Sequence, residues 1–260
     1  MGFLFKICLC AKKVVPLQKF YNNCRMKKFT NYCYLAIIAI VMMACGGISP
    51  ELDQLSGEEN GHGYMDLGLS VMWAPVNIGA AAVGEYGDFY AWGETESKDY
   101  FSYDNYKYCK KEGTVYKYTK YCTNPSSGQV DGLTTLELED DAAQVQWGGS
   151  WRMPTKEEWI ELREKCTWKY SRENGKKGWT VTGPNGNKIF FPLAGGQTWN
   201  EISSKGTTGY YRSATLGEKY SSTTYIVIMF SDDDDESAVT WSDGSREFGQ
   251  SIRPVCTIVK

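Results

Sequence analysis

The apolar positions of this chain fall into three regimes. Every residue from Tyr34 to Ala44 is apolar, eleven in a row, with Lys27 and Lys28 shortly before the run. That length falls well short of the roughly 20 residues an untilted helix needs to cross hydrocarbon. Residues 46–62 carry no apolar period and are rich in Gly, Ser, Glu and Pro, the pattern of a flexible tether. From Tyr64 onward apolar residues alternate or recur at helical spacing.

Tyr64 to Ala74 predicts a short first strand pair, and residues 79–96 a glycine- and aromatic-rich loop with one strand, Phe89–Trp92. Residues 97–135 are Tyr, Lys, Ser and Gly rich without helical period, which predicts a long ordered loop held by its tyrosines. Glu137 to Val145 reads as a short helix with its acids in the first turn, where the helix dipole favours them. Thr155 and Glu158 form a capping box behind Pro154, opening a helix to about Lys165 with Trp159, Leu162 and Cys166 on one face. Strands 179–182 and 189–191 flank the turn Gly183-Pro184-Asn185-Gly186-Asn187, and further strands are expected at 209–213, 224–230, 238–241 and 251–257. The result is an α+β chain, loop-rich, with two short helices and a mostly antiparallel β-sheet, and no fixed-period repeat.

Charge divides the same chain differently. It holds 28 basic and 31 acidic side chains, yet the first 44 residues carry seven of the basic and none of the acidic. The remaining 216 residues therefore hold 21 against 31, a net charge of −10, and nucleic acid is not an expected partner. Basic residues, an apolar run and small residues in that order describe an export signal over 1–44, with the true start expected at Met26. Cys45 after Met42-Met43-Ala44 resembles the lipobox of bacterial lipoproteins, in which that cysteine is acylated, with palmitate-type chains, and becomes the mature N-terminus. The resemblance implies a lipidated tether over 45–63, a single domain over 64–260, and the envelope membrane as a partner, with an outer-membrane lipoprotein facing the periplasm or the surface as the expected location.

Five segments carry a wider resemblance: Asp66 to Ala74, Tyr90 to Glu94, Trp147 to Thr155, Gly209-Tyr210-Tyr211 and Gln250 to Val255. In this order, spanning roughly 64–257, they resemble the Fibrobacter succinogenes major paralogous domain family of exported bacterial proteins. The string from Trp151 to Trp159 is also similar to the formylglycine-generating enzyme group. Both resemblances imply a C-type-lectin-like domain. Arg212 stands where the Gly-Tyr-Tyr-x-Ser string would lead one to expect tryptophan.

The formylglycine-generating reaction needs a redox-active or copper-binding cysteine pair, to be found among Cys109, Cys122, Cys166 and Cys256. Cysteines of an exported chain more often form disulfides. The lectin-like resemblance implies a Cys166–Cys256 pair, which leaves Cys109 with Cys122; four reduced, buried thiols are the alternative. The single histidine, His62, falls in the tether region, which disfavours His-based catalysis and His-rich zinc sites. No phosphate-binding glycine pattern occurs, and no cofactor is expected.

Asp232, Asp233, Asp234 and Asp235 could offer calcium ligands, although consecutive residues rarely converge on one ion. Trp241-Ser242-Asp243 resembles the Trp-Asn-Asp signature of calcium-dependent lectins, with serine in place of the asparagine ligand. Trp199 and Tyr220 lie in polar, glycine-containing stretches and are the aromatic residues expected at the surface, where they could stack on a ligand. The combined expectation is a non-catalytic envelope lipoprotein binding a glycan or protein; a catalytic relative of the formylglycine-generating enzymes and a structural subunit of a surface assembly are the alternatives. Cys45→Ser is expected to abolish metabolic labelling with radioactive fatty acid; persistent label would refute the lipidation reading.

Overall fold

The computed structural model describes residues 55–231 and 238–258. Its first element forms because Asn60 and Gly61 both adopt positive φ, 47° and 79°, the geometry of a tight two-residue hairpin turn. This joins β1 (Gly57–Glu59) to β2 (His62–Tyr64). The hairpin corrects the tether expected over 45–63, because its last part belongs to the folded domain. Trp151 Nε1 donates to the Glu59 carbonyl at 2.7 Å, and the His62 ring stacks on Trp147 at 4.2 Å. A run with so few apolar residues is ordered by docking on two tryptophans far along the chain.

β3 (Met72–Trp73) is the predicted first strand, bridged to Met65. Of the expected strand Phe89–Trp92, only a bridge from Tyr90 to Gln250 forms. The tyrosine-rich segment contains an unforeseen hairpin, β4 (Cys109–Glu112) and β5 (Val115–Tyr118), whose largely polar, exposed strands lack the alternation that would announce them. Its tyrosines do hold it, since Tyr106, Tyr108, Tyr118 and Tyr121 are all buried.

The first helix starts later than its acids suggested. Leu138–Asp140 form a 3-10 turn, and Asp141 caps α1 (Ala142–Trp147) by accepting from the amides of Ala143 and Gln144. α2 (Lys156–Lys165) has the expected capping box: the Thr155 hydroxyl accepts from the Glu158 amide and the Glu158 carboxylate from the Thr155 amide. Its Trp159 and Leu162 are buried.

Beyond α2 the chain is strands. β6 (Thr167–Glu173), β7 (Lys176–Thr182) and β8 (Lys188–Pro192) form one antiparallel sheet, with Asn174-Gly175 as a second positive-φ turn. β9 (Gly196–Thr198) and β10 (Glu201–Ser203) make a small hairpin. β11 (Thr208–Leu216), β12 (Thr223–Phe230) and β13 (Val239–Ser245) form a second three-stranded antiparallel sheet. The expected final strand shrinks to β14 (Val255–Cys256), which pairs antiparallel with β3 and so ties the two ends of the domain together.

Six sheets of two or three strands therefore stand where one larger sheet was expected, joined by single bridges. The architecture is α+β and loop-rich, with all strand pairs in these sheets antiparallel. Two large clusters form the core. One gathers Trp92, Phe101, Tyr106, Tyr121 and their neighbours under the first half of the chain. The other gathers Trp73, Trp159, Trp179, Phe191 and Tyr211 between α2 and the strands.

Loops of this kind leave carbonyl groups without ladder partners, and three fully buried arginines collect them. Arg246 donates to the carbonyls of Lys120, Tyr121 and Ser221, each at 3.0 Å, and to the Tyr106 hydroxyl at 2.9 Å. Its guanidinium lies 4.6 Å from the Tyr118 ring centre and 4.9 Å from that of Trp92. Arg253 joins Ala74 and Phe190 carbonyls to the Asn77 side chain. Arg212, the residue in the tryptophan position, holds the carbonyls of Ser245, Arg246 and Phe248. Arg246→Ala should lower unfolding stability by more than about 3 kcal/mol in a urea titration, since several buried carbonyls lose their donor at once. A loss under about 1 kcal/mol would contradict that role.

Candidate ligand-binding site

The β9–β10 hairpin projects from the domain on a short, constrained turn. Trp199 follows β9 with φ of 54°, a left-handed backbone that is strained for a bulky side chain. The strain is held by reciprocal main-chain bonds, Phe101 to Trp199 and Trp199 to Phe101, both 2.8 Å. On the other side Gln197 and Gly249 exchange a second reciprocal pair, again at 2.8 Å. Gly249 must be glycine for this approach, because a Cβ there would sit 2.7 Å from the Phe101 ring. The rigid backbone carries an exposed apolar display: Trp199 is 57% exposed and Ile202 47%, while Tyr100, next to Phe101, is 49% exposed.

Clefts border this hairpin. The larger, about 330 Å³, lies between the hairpin and the β11–β13 sheet. Tyr210 and Ile228 are opposite one another in the register, and Ile226 shares their face two residues away, so these side chains line it together. Gln250 also lines it; the residue is only 5% exposed and its Oε1 has no partner among the described residues. The smaller cleft, about 230 Å³, is lined by charges of both signs, Asp88, Lys98, Asp99 and Lys205, beside Tyr86. Gln197 contributes to both clefts and anchors to the Asp99 carbonyl at 2.9 Å.

Among the residues singled out from sequence, Asp243 lines the larger cleft, and Trp199 stands on the bordering hairpin without lining either cleft. Trp241 lines neither. It is half-buried, with the Arg163 guanidinium 4.7 Å from its ring and Tyr225 beside it. Tyr220 is exposed but lines neither cleft. Cys45 and Asp232, Asp233, Asp234 and Asp235 lie outside the described residues. Gln197, Tyr210 and Gln250 escaped the sequence reading, because no local pattern distinguishes a glutamine or tyrosine lining a cleft from one in the core.

The disulfide expectation is corrected: Cys109, Cys122, Cys166 and Cys256 are all free thiols. Cys166 packs against the Trp159 cluster, and Cys256 lies in a small cluster with Trp151 and Met72. The Cys122 thiol instead donates to the Asn124 carbonyl. Burial pushes the thiols of Cys109 and Cys166 up to about 11 and that of Cys256 up to about 12, far from the thiolate form that nucleophilic or metal chemistry requires.

The sequence strings that carry the family resemblance are occupied structurally. In the string from Trp151 to Trp159, Arg152 makes a bidentate ion pair with Glu158, Thr155 and Glu158 cap α2, and Trp159 Nε1 donates to the Arg212 carbonyl. Trp92 Nε1 binds the Ser213 carbonyl, and the Tyr211 hydroxyl the Pro192 carbonyl. No known protein-family model, curated protein or solved structure matches the chain.

One acidic group has the spacing of a cation site, with carboxylate oxygens of Glu137, Glu139 and Asp140 within 4.8 Å of one another. Lys120 Nζ already bridges all three, at 2.7 Å from Asp140, and Lys107 Nζ adds a contact at 2.8 Å. Burial alone would raise the Asp140 carboxyl, but hydrogen bonds from Lys107, Lys120, Tyr108 and Tyr121 outweigh it and hold the carboxyl well below its ordinary 3.8. A depressed acid stabilises the fold above its unfolded pKa and loses that contribution as pH falls. Asp140→Asn should therefore cost roughly 2 kcal/mol at neutral pH, and the gap to wild type should close as pH falls below about 4. Denaturant titrations across that range test it; a gap independent of pH would count against the ionised network.

Proposed function

We propose that this protein is a non-catalytic, glycan-binding module of the bacterial cell envelope, tethered through acylated Cys45, with a lectin-like domain that engages its ligand around the β9–β10 hairpin. The observation that carries the reading is Trp199, an indole 57% exposed on a backbone locked by paired main-chain bonds. A preorganised aromatic surface binds with little ordering cost, and a flat indole stacks well on the apolar face of a sugar ring. The neighbouring ligand-sized cleft supplies the polar groups that a flat stacking surface lacks.

Two further points support binding over catalysis. Burial raises the thiols of Cys109, Cys166 and Cys256, away from the thiolate form that a formylglycine-generating reaction would need. The ring of His62, the single histidine, is stacked on Trp147.

Trp199→Ala in the full chain should weaken retention on a glycan array at least tenfold, about 1.4 kcal/mol, while leaving the thermal midpoint unchanged, because the side chain is mostly outside the core. Wild-type retention by the variant would refute the assignment of this surface.

A further inference from the structure

The Gln250 side chain is more than nine-tenths buried, yet among the described residues its carboxamide makes no hydrogen bond and its Oε1 is recorded without a partner. Buried polar groups in folded proteins are nearly always partnered, so such a group beside a cleft calls for a ligand atom or a water. Its backbone is held by Tyr90, with which Gln250 exchanges reciprocal main-chain bonds of 3.0 and 3.1 Å. The Tyr210 hydroxyl, half-buried on the facing strand, likewise has no protein partner among the described residues.

From these groups we infer that the cleft between the β9–β10 hairpin and the β11–β13 sheet is a calcium-independent subsite for one neutral sugar ring. This deepens the glycan-binding reading and rests on it. The lining sets the ligand class. Ile226, Ile228 and Phe248 give an apolar floor, while Gln197, Tyr210 and Gln250 give carboxamide and phenol groups that can both donate and accept. No lysine, arginine or histidine lines the cleft, and its one acidic residue, Asp243, pairs with Tyr225 in the register, on the opposite face of the sheet from Ile226 and Ile228. An anionic ligand would find no counter-charge.

The same inventory excludes calcium as the bridge. Calcium takes six to eight oxygen ligands, usually several of them carboxylate. Here Asp243 stands alone, and the residue beside it in the lectin-like string is Ser242. The hairpin places Trp199 next to Thr198, which lines the cleft, so a terminal ring in the cleft leaves the adjoining ring to stack on Trp199.

The test uses the full chain on an array of neutral glucose-, galactose-, mannose- and N-acetylhexosamine-terminated oligosaccharides, with sialylated and sulfated glycans alongside, in excess EDTA. Neutral glycans should be retained despite the chelator, and Gln250→Ala and Tyr210→Phe should each weaken retention at least fivefold. Tyr210→Phe removes a single oxygen with no protein partner, so an unchanged thermal midpoint for it separates binding from folding. Loss of binding in EDTA, or retention of the acidic glycans alone, overturns the inference. If Trp199→Ala loses binding but both cleft variants match wild type, the cleft subsite is wrong and the glycan-binding reading stands. If wild type retains no glycan, that reading falls and the subsite with it.

Discussion

Arg246 illustrates the constraint under which this whole domain is built. A chain with short strands and long connections cannot satisfy its carbonyls by ladders, and unpartnered buried carbonyls are costly. A guanidinium offers five donors in a rigid fork and stays charged when buried. Arg246 uses that fork to pin three separate backbone carbonyls, and the ring faces of Trp92 and Tyr118 cover its charge. Arg253 and Arg212 repeat the arrangement elsewhere, and burial lowers both only to about 10, which leaves them cationic at neutral pH.

This arrangement connects core to site. Arg212, reaching from β11, holds the carbonyls of the turn from Ser245 to Phe248, which forms one border of the larger cleft. Gly249 then passes close to Phe101 and pairs with Gln197, which seats the β9–β10 hairpin. A cleft border held by a buried cation is preorganised, and so is the exposed Trp199 beside it. The strings that look most like signatures, around Trp92, Trp151 and Arg253, are meanwhile taken up by packing, caps and carbonyl bonds.

Features governed by near neighbours were legible in the sequence. The capping box of α2 and the Asn-Gly turn after β7 involve residues a few positions apart, and both formed as read. Trp199 was legible as exposed because polar and glycine residues flank it. The β1–β2 hairpin carried its Asn60-Gly61 signal, but its strands are too short and polar to compete with a tether reading until Trp147 and Trp151 are packed against it. Asp140 lay within an acidic cluster read as the first turn of a helix, whereas it ends the 3-10 turn that precedes α1. Its lysine and tyrosine partners come from the preceding loop and its hairpin, and no local rule connects them.

The chain alone thus determined the kinds of element, their caps and turns, and an α+β composition with a strongly acidic body. Tertiary structure decided that Cys109, Cys122, Cys166 and Cys256 are free thiols, that Trp241 lies against Arg163, and that among the described residues the Gln250 carboxamide is buried without a partner. The division has one physical cause. Backbone propensities, caps and turns depend on interactions within a few residues, so the sequence displays them directly. Which face of a strand or loop is covered depends on segments a hundred residues away, and their approach is set by the buried arginines and the close backbone contacts rather than by any local pattern.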